Sequence, residues 1–268
     1  MSTIAIIGAG NIGEALISGL VAAGHDPKSV IATNRTPSRS KYLENEYGIR
    51  TTDDNHAAVS GADYVFVCVK PPQVVSVLSE LADTIDKNDS TVVASLAAGV
   101  KIADMEEAVS AGTPVIRIMA NTPMIVGAGM NACTPGRYVS DQQMDEVAEV
   151  LSAVGDVVVV KEDQMDAVVA VSGSAPAYYF LFTEALIDAG VQAGLPRDLA
   201  LKLAKSTVAG AGALLSQRDD EPATLRANIS SPGGSTVAAL RELEESGIRG
   251  AVFRAVEACA RRSNELGG

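Results

Sequence analysis

The stretch Ile4-Ala5-Ile6-Ile7-Gly8-Ala9-Gly10-Asn11-Ile12-Gly13 decides the fold at the start of this chain. Its four apolar residues predict a buried strand, and the Gly-x-Gly-x-x-Gly pattern predicts a tight turn into a helix. In such a turn the first glycine bends the chain, the second lets the backbone approach a pyrophosphate, and the third lets helix and strand pack closely. The positive end of the helix then faces the phosphates. We therefore predict a dinucleotide site formed by Gly8, Ala9, Gly10, Asn11, Ile12 and Gly13.

Short β-branched runs and amphipathic stretches alternate as far as about residue 160. The runs stand at residues 4–7, 30–33, 64–69, 91–94, 115–118, 128–134 and 157–160. This alternation predicts βαβ units on one sheet. The chain is then Ala-rich, and helices are predicted at residues 164–171, 175–193, 197–216, 222–228, 232–246 and 248–266. The predicted fold is an α/β, N-terminal Rossmann-type dinucleotide-binding domain over residues 1–160, followed by an all-α C-terminal domain over residues 161–268.

Composition excludes several classes of function. The 268 residues are 47% hydrophobic and carry 33 acidic against 21 basic side chains, a formal charge of −12. Scattered basic residues and a 4% aromatic content argue against nucleic-acid binding, which needs a basic surface and stacking rings. No apolar run approaches the ~18 residues of a membrane span, and Met1-Ser2-Thr3 leads into the first strand without a basic region. We expect a cytoplasmic protein that binds small molecules and neither nucleic acid nor membranes.

The residues after the second predicted strand bear on the choice of coenzyme. An NAD-specific domain places an acidic residue there to bind the ribose hydroxyls, whereas this chain has Thr33-Asn34-Arg35-Thr36 with Arg39 nearby. Arg35 and Arg39 are suited to pair with a 2′-phosphate, and nothing acidic in this segment repels one. We therefore predict NADPH as the cofactor, with NADH as the alternative coenzyme. Two solvated arginines on a surface loop are the competing interpretation.

Two more strand ends lie where the carboxyl edge of a parallel sheet forms a ligand crevice. One is Val69-Lys70-Pro71 and the other is Ala97-Ala98-Gly99. The small side chains of the second segment leave space for a nicotinamide ring, so both segments are candidate cofactor contacts. Position alone leaves open that the proline only ends a strand and that the glycine only makes a turn.

Few side chains offer acid–base or metal chemistry. Cys68, Cys133 and Cys259 lie far apart without a CxxC pair, so we expect neither a disulfide framework nor a metal site. An alcohol dehydrogenase usually needs a general acid or base, most often histidine, lysine or tyrosine. His25 and His56 both precede the helical domain, which should carry the substrate. A histidine-dependent 2-hydroxyacid dehydrogenase is therefore disfavoured.

The segment Asn228-Ile229-Ser230-Ser231-Pro232-Gly233-Gly234-Ser235-Thr236 is the most informative part of the second half. Ser231 is predicted to cap a helix whose first turn contains Pro232 and both glycines. Two glycines there cost roughly 1 kcal/mol each relative to alanine, so we infer that their open N–H groups bind a small carboxylate. An ordinary Ser-Pro helix start is the alternative. Ser174 is likewise predicted to cap the long Ala-rich helix after it.

With these segments in view, the sequence resembles the pyrroline-5-carboxylate reductase family, essentially from end to end. The resemblance rests on separated motifs in a fixed order. These are IGAGNIGEA at residues 7–15, VKP at 69–71, SLAAG at 95–99, RIMANTPMIVGAGMNA at 117–132, SGSAPAY at 172–178, residues 189–196 and LRANISSPGGST at 225–236. Ala120 and Ala175 depart from the family, which usually has Pro and Gly at these positions. Both departures concern local loop geometry and remove no proposed chemical group.

The resemblance implies an activity and an assembly. The implied reaction is the reduction of L-1-pyrroline-5-carboxylate to L-proline by NAD(P)H, the final step of proline biosynthesis. The all-α domain is implied to be a dimerisation domain with interleaved helices, in homodimers that often assemble into decamers. A cyclic imine accepts hydride readily once it is protonated, which explains why the chain needs no strong acid–base residue.

The resemblance also assigns roles to residues. The family's hydroxyl donor to the imine nitrogen falls on Thr236, and its substrate-carboxylate turn falls on Ser231, Gly234 and Ser235. Its cofactor contacts fall on the glycine loop and on Asn34, Asn55, Val69, Lys70, Ala98 and Asn228. Because the dimer interleaves, this turn is expected to complete a site against the partner subunit's nucleotide domain.

Other functions stay open at this level. A related β-hydroxyacid dehydrogenase or another cyclic-imine reductase would share the architecture. The β-hydroxyacid enzymes are expected to use a catalytic lysine in the helical region, where Lys202 and Lys205 lie in an amphipathic stretch that indicates packing. A non-catalytic NADP(H)-binding regulator would bind the coenzyme without turnover. The intact turn at residues 231–236 argues against a regulator, since a nucleotide sensor needs no second anion site.

Overall fold

A computed structural model describes residues 2–88 and 90–267. The described residues form one eight-stranded sheet. Its strands are β1 Ile4–Ile7, β2 Val30–Thr33, β3 Arg50–Thr52, β4 Tyr64–Val67, β5 Val92–Ser95, β6 Val115–Met119, β7 Gly129–Pro135 and β8 Gly155–Val159. The outer limits of the two predicted domains, residues 1 and 268, lie outside the described residues.

The order of the strands positions a ligand crevice. The sheet runs β3-β2-β1-β4-β5-β6-β7-β8. Strands β1 to β6 are parallel, β7 is antiparallel to β6, and β8 is parallel to β7. Because the chain order reverses between β1 and β4, the carboxyl ends of these two strands flank the point at which doubly wound sheets bind their ligands.

Helices cover both faces of this sheet. In this part of the chain they are α1 Asn11–Ala22, α2 Pro37–Tyr47, α3 Asn55–Val59, α4 Val74–Asp86, α5 Ile102–Glu107 and α6 Asp141–Ser152. Ile6 of β1 shares one buried cluster with Leu16 of α1, whereas Ile7 shares a second cluster with Leu78 of α4. Successive residues of β1 therefore face opposite layers, which is why this strand is apolar throughout.

The chain beyond residue 160 is helical. Its helices are α7 Met165–Val168, α8 Ala175–Gln192, α9 Arg197–Gln217, α10 Pro222–Asn228, α11 Ser235–Glu245 and α12 Ile248–Leu266. The chain divides into two compact units. The sheet unit runs to Ser174 and takes in the chain again from Cys259 onward, and the helical unit is Ala175–Ala258. The domain division at residue 160 stays a prediction, since this clustering follows spatial contacts and returns α7 and the end of α12 to the sheet unit.

The predicted helix cap at Ser174 is wrong. Ser174 has φ −94° and ψ −20°, and its N–H donates to the carbonyl of Val169 at 2.8 Å, across the π-helical turn Val169–Gly173. Pro176 has no N–H group to offer the carbonyl of Ser172, and Nδ2 of Asn121 donates to that carbonyl at 3.2 Å instead. The chain thus passes from α7 to α8 along a helical path, and no new helix start needs a cap.

Candidate functional site

The glycine loop between β1 and α1 is tied to the end of β2. The N–H of Gly8 donates to Oγ1 of Thr33 at 3.1 Å, and the N–H of Ala9 donates to the carbonyl of Thr33 at 2.9 Å. Gly8 has φ +87°, and a Cβ there would lie 2.7 Å from Cγ1 of Val69. Only glycine satisfies both conditions, so Gly8 makes the tight turn that the sequence predicts.

The other two glycines of the loop serve different purposes. A Cβ at Gly13 would lie 3.1 Å from Cγ2 of Ile6, so this glycine lets α1 pack closely on β1. Gly10 has φ −77°, which any residue adopts, and a Cβ there would meet no described atom within 4 Å. Neither backbone conformation nor packing requires glycine at this position. The open space fits the close approach of a pyrophosphate, for which this pattern needs its second glycine.

The start of α1 supplies the donors for that pyrophosphate. The N–H of Gly10 donates to the carbonyl of Gly8 at 2.7 Å, so it is engaged within the loop. Gly10 caps α1 without a side-chain hydrogen bond. The N–H groups of Asn11, Ile12 and Gly13 stand in the first turn, where a helix offers no carbonyl partner. These groups, at the positive end of the helix, are left to bind phosphate oxygens.

The residues after β2 close one side of the loop. Nδ2 of Asn34 donates to the carbonyl of Ala9 at 3.1 Å, and its Oδ1 accepts from the N–H of Thr36 at 2.9 Å. Asn34 is therefore held as part of the loop. Arg35 lines the cavity beside it, whereas Arg39 pairs with the carboxylate of Glu14. The expectation that both arginines are suited to a 2′-phosphate thus fits Arg35 and not Arg39.

A cavity of about 410 Å³ occupies the crevice between β1 and β4. It brings together many of the predicted cofactor residues: Gly8, Gly10, Asn34, Arg35, Asn55, Val69 and Lys70. Sequence reasoning did not assign cofactor contacts to other lining residues: Ile7, Thr33, Thr36, Asp53, Cys68, Gln73, Val77 and Glu80. The place of Thr33 at the carboxyl end of β2 was the signal for it. Asp53 directly follows β3, so it carries the same kind of signal, whereas Glu80 lies within α4 and carries none.

A second cavity of the sheet unit, about 680 Å³, lies at the carboxyl ends of β4 and β5 and includes Pro71 and Ala98. Its other lining residues are Pro72, Gly99, Val100, Val169, Ser174, Cys259, Arg262, Ser263 and Leu266. The carboxylate of Asp166 holds the end of α12 there, accepting from Oγ of Ser263 at 2.7 Å and from Nδ2 of Asn264 at 3.1 Å. The predicted contact Ala97 is only 6% exposed. The sequence did not predict that the last turns of α12 line this cavity.

The sheet unit offers binding groups rather than an activated nucleophile. Burial raises the pKa of the Cys68 and Cys133 thiols to about 12, so both stay protonated at neutral pH.

Within residues 2–88 and 90–267, no group of three or more His, Cys, Asp or Glu side chains is placed to hold a metal ion. Among the helices described, none combines the length and apolarity needed to cross a membrane.

In the helical unit, the predicted helix start at Ser231 is wrong. Gly233 has φ +71°, in the left-handed region, and the N–H of Gly234 donates to the carbonyl of Ser231 at 2.9 Å. Pro232 and Gly233 therefore occupy the centre of a β-turn, a pairing typical of type II. A left-handed residue interrupts a right-handed helix, so α11 begins only at Ser235, with Gly234 as its N-cap.

The exposed helix start lies at Ser235 instead of Ser231. Gly234 offers no side-chain cap, so the N–H groups of Ser235 and Thr236 lack partners within the helix. A Cβ at Gly234 would lie 2.6 Å from Oγ of Ser231, which places that hydroxyl directly over the turn. The structure thus brings Ser231, Gly234, Ser235 and Thr236 into one turn, with Thr236 half-buried, while Asn228 ends the preceding α10.

The strand order, the glycine loop and the open space at Gly10 define a Rossmann-type dinucleotide-binding protein. Residues 162–266 match the family described as pyrroline-5-carboxylate reductase dimerisation, and residues 3–99 match the family described as NADP oxidoreductase, coenzyme F420-dependent. The chain is 56% identical over 268 residues to a pyrroline-5-carboxylate reductase from Corynebacterium melassecola, a match that covers 100% of this chain and 99% of the relative. The chain belongs to the pyrroline-5-carboxylate reductase family.

Two solved structures share the whole fold. A pyrroline-5-carboxylate reductase from Coxiella burnetii has a TM-score of 0.95 and 35% identity, over 100% of this chain and 99% of the other. A Plasmodium falciparum pyrroline carboxylate reductase with NADP bound has a TM-score of 0.86 and 28% identity, over 100% and 98%. These matches confirm the predicted family, the Rossmann-plus-helical fold class, the oxidoreductase class and an NAD(P)H cofactor. The dimerisation match supports an oligomer, and the roles of individual residues stay predictions.

Proposed function

We propose that this chain catalyses the NADPH-dependent reduction of L-1-pyrroline-5-carboxylate to L-proline, the final step of proline biosynthesis. The observation that carries the proposal is the 56% identity, over 100% of the chain, to a relative named pyrroline-5-carboxylate reductase. Two features of the geometry agree with it. The glycine loop offers open donors to a dinucleotide, and the turn at residues 231–236 offers open donors to a small carboxylate.

Residues on the crevice side would hold the cofactor. In this proposal the N–H groups at the start of α1 bind the pyrophosphate, and Asn34 and Arg35 lie at the adenosine ribose and its 2′-phosphate. The remaining proposed contacts are Asn55, Val69, Lys70, Pro71, Ala97, Ala98 and Asn228. When bound, NADPH supplies the hydride that reduces the imine carbon. The small side chains of Ala97 and Ala98 leave room for a planar ring.

The turn at residues 231–236 would hold the substrate. Its carboxylate takes hydrogen bonds from the N–H groups at the positive end of α11, with Ser231, Gly234 and Ser235 around it. Oγ1 of Thr236 donates a hydrogen bond to the imine nitrogen. The imine carbon gains a hydride and the nitrogen gains a proton, which water replaces on the Thr236 hydroxyl, so the C=N bond becomes a single bond. A protonated cyclic imine is already a good hydride acceptor, and a hydroxyl donor suffices.

In the proposed assembly, the chain forms a homodimer through its helical unit. The turn at residues 231–236 of one subunit then completes a site against the nucleotide domain of the partner, and dimers assemble further into decamers. The match of residues 162–266 to a dimerisation family supports the dimer and also a domain division near residue 160. We place the enzyme in the cytoplasm, a reducing compartment that suits its free Cys68, Cys133 and Cys259.

The reaction is tested by following NADPH oxidation with purified protein. We expect oxidation with pyrroline-5-carboxylate and none with a β-keto acid. Oxidation only with the β-keto acid would assign the chain to the β-hydroxyacid dehydrogenases instead. If the protein binds NADPH but oxidises it with neither substrate, it is a non-catalytic regulator.

The coenzyme preference is tested by Asn34→Asp. A carboxylate there would repel a 2′-phosphate and accept bonds from free ribose hydroxyls. We expect the ratio of kcat/KM for NADPH to that for NADH to fall at least about tenfold, the equivalent of roughly 1.4 kcal/mol. Asn34→Ser, which adds no charge, is the control for the lost bond to Ala9. An unchanged ratio in Asn34→Asp would reject the assignment of this position to the ribose.

A further inference from the structure

Arg39, on the first turns of α2, reaches back to the glycine loop. Its Nε donates to the carbonyl of Ala9 at 3.3 Å, and its Nη2 lies 3.5 Å from the carbonyl of Gly10. The same nitrogen pairs with the carboxylate of Glu14, and the guanidinium carbon lies 5.2 Å from the centre of the Tyr42 ring. All the contacts of this guanidinium are thus within the sheet unit.

We propose that Arg39 is a positioning residue of the nucleotide site and not a ligand of the 2′-phosphate. This inference rests on the proposed role of the glycine loop in binding the cofactor. Arg39 holds the carbonyls of Ala9 and Gly10 on one side of the loop. The N–H groups of the first turn of α1 are thereby kept in a fixed arrangement for the pyrophosphate.

Arg39 also neutralises an acidic group that stands close to the phosphates. Glu14 lies in the first turn of α1, and one turn rises only about 5.4 Å, less than the ~8 Å over which charges act at physiological ionic strength. Burial raises the pKa of the Glu14 carboxyl, but hydrogen bonds from Arg39 and Tyr47 outweigh burial and hold the pKa below its usual value. Glu14 is therefore ionised at neutral pH, and without Arg39 it would repel the pyrophosphate that both coenzymes share.

Arg35 is the matched comparison. It lines the same cavity, and among residues 2–88 and 90–267 it forms no ion pair shorter than 4.0 Å. Its charge is thus available to a 2′-phosphate, the group that distinguishes NADPH from NADH. The two arginines should consequently differ in how their loss affects the two coenzymes.

The test is calorimetric titration of NADPH and NADH into the full-length wild type, Arg39→Gln, Arg35→Gln and the double variant Arg39→Gln/Glu14→Gln. We expect Arg39→Gln to weaken both coenzymes by the same factor, about tenfold for the loss of two hydrogen bonds near a charge. The double variant should regain part of that affinity for both, because the unpaired carboxylate is gone. Arg35→Gln should weaken NADPH alone.

Each outcome decides a separate point. A loss confined to NADPH in Arg39→Gln would make Arg39 a phosphate ligand and overturn the proposal, and unchanged affinities would overturn it too. A double variant no tighter than the single one would reject the role of Glu14. If Arg39→Gln fails to fold, Arg39→Lys keeps the charge but not the planar fork, and equal losses for both coenzymes are again expected. A wild type that binds neither nucleotide would refute the proposed function itself.

Discussion

At the scale of single residues, the glycines at positions 8 and 10 separate what the fold needs from what the ligand needs. Gly10 has an ordinary φ and open space around its missing side chain. We predict that Gly10→Ala changes the free energy of unfolding by less than about 1 kcal/mol. The affinity for NADPH should fall about tenfold or more, since a methyl group would fill the path of the pyrophosphate and overpacking costs 1–3 kcal/mol. Thermal unfolding and calorimetric titration measure the two effects.

Gly8→Ala is the control for that pair of measurements. With φ +87° and Cγ1 of Val69 at 2.7 Å from an added Cβ, alanine at position 8 should lower the unfolding free energy by at least about 1–2 kcal/mol. Its melting temperature should fall by several degrees. A stable Gly8→Ala, or a Gly10→Ala that binds NADPH like the wild type, would contradict this division of roles.

Thr236 is the residue on which the proposed chemistry depends. Removing one positioned proton donor costs about 10²–10⁴ in rate, and for an activated imine we expect kcat to fall about 10²-fold in Thr236→Ala. The melting temperature should change little, because Thr236 is only half-buried. Thr236→Ser keeps the hydroxyl and should retain most of the activity. A folded Thr236→Ala with normal turnover would remove Thr236 from the mechanism.

Residue types could be predicted from the sequence better than residue partners. The glycine loop could be predicted because each of its glycines has a role set by the adjacent strand, turn or helix. The two arginines after β2 were not distinguishable, because only the fold shows that Arg39 stands over the carbonyls of Ala9 and Gly10 while Arg35 faces the cavity. The bond from Thr33 to Gly8 also depends on the pairing of β1 with β2.

At the scale of elements, local sequence patterns located most of the strands. They misplaced the start of a helix where the backbone adopts a left-handed conformation. The runs at residues 4–7 and 30–33 match β1 and β2 because buried parallel strands are apolar throughout. The three-residue β3 carries no such signal, since it is partly exposed. The start of α11 was misplaced because Pro232 was interpreted as the first residue of a helix, whereas Pro232 and Gly233 form the Pro-Gly pair of a type II turn.

Glu14 links two elements, and its ionisation makes that link sensitive to acid. Arg39 of α2 pairs with one carboxylate oxygen and the hydroxyl of Tyr47 donates to the other at 2.9 Å. Because the folded state lowers the pKa of Glu14 from its usual 4.5, the stabilisation is present above that value and is lost as the pH falls through the lower, folded pKa. We predict that Glu14→Gln is less stable than the wild type at pH 7 by about 1 kcal/mol.

The comparison at low pH distinguishes charge from shape. Urea unfolding of the wild type and Glu14→Gln should give free energies that converge as the pH falls below 4.5 and through the lower pKa of folded Glu14, where the wild-type carboxyl becomes protonated. Glu44→Gln, on the exposed face of α2, is the control and should show a smaller difference at pH 7. A gap between wild type and Glu14→Gln that stays constant with pH would mean that packing, and not the charge of Glu14, ties α1 to α2.

At the scale of the whole molecule, the helical unit is short of buried surface. Its own buried cluster consists of Ile187, Ala200 and Ala204. Its long helices leave large apolar side chains exposed, among them Tyr179, Phe180, Leu181, Phe182, Leu186, Leu199, Leu203, Leu214, Leu215 and Phe253. Apolar surface on this scale marks an interaction site, and the dimerisation match of residues 162–266 indicates what covers it. Composition could not predict this, because apolar content does not reveal which residues a fold leaves outside.

Assembly and activity should therefore fail together. Phe180 is 68% exposed on α8, and a charge buried there on association would cost several kcal/mol. We predict that Phe180→Glu reduces the mass measured by light scattering to that of a 27.6 kDa monomer. It should also abolish NADPH oxidation, because in the proposed assembly the turn at residues 231–236 needs the partner's nucleotide domain. NADPH binding by calorimetry should persist. Val75→Glu alters an exposed apolar residue of α4 and should leave mass and activity unchanged. An active Phe180→Glu monomer would contradict the shared site, and an intact oligomer would place the interface elsewhere.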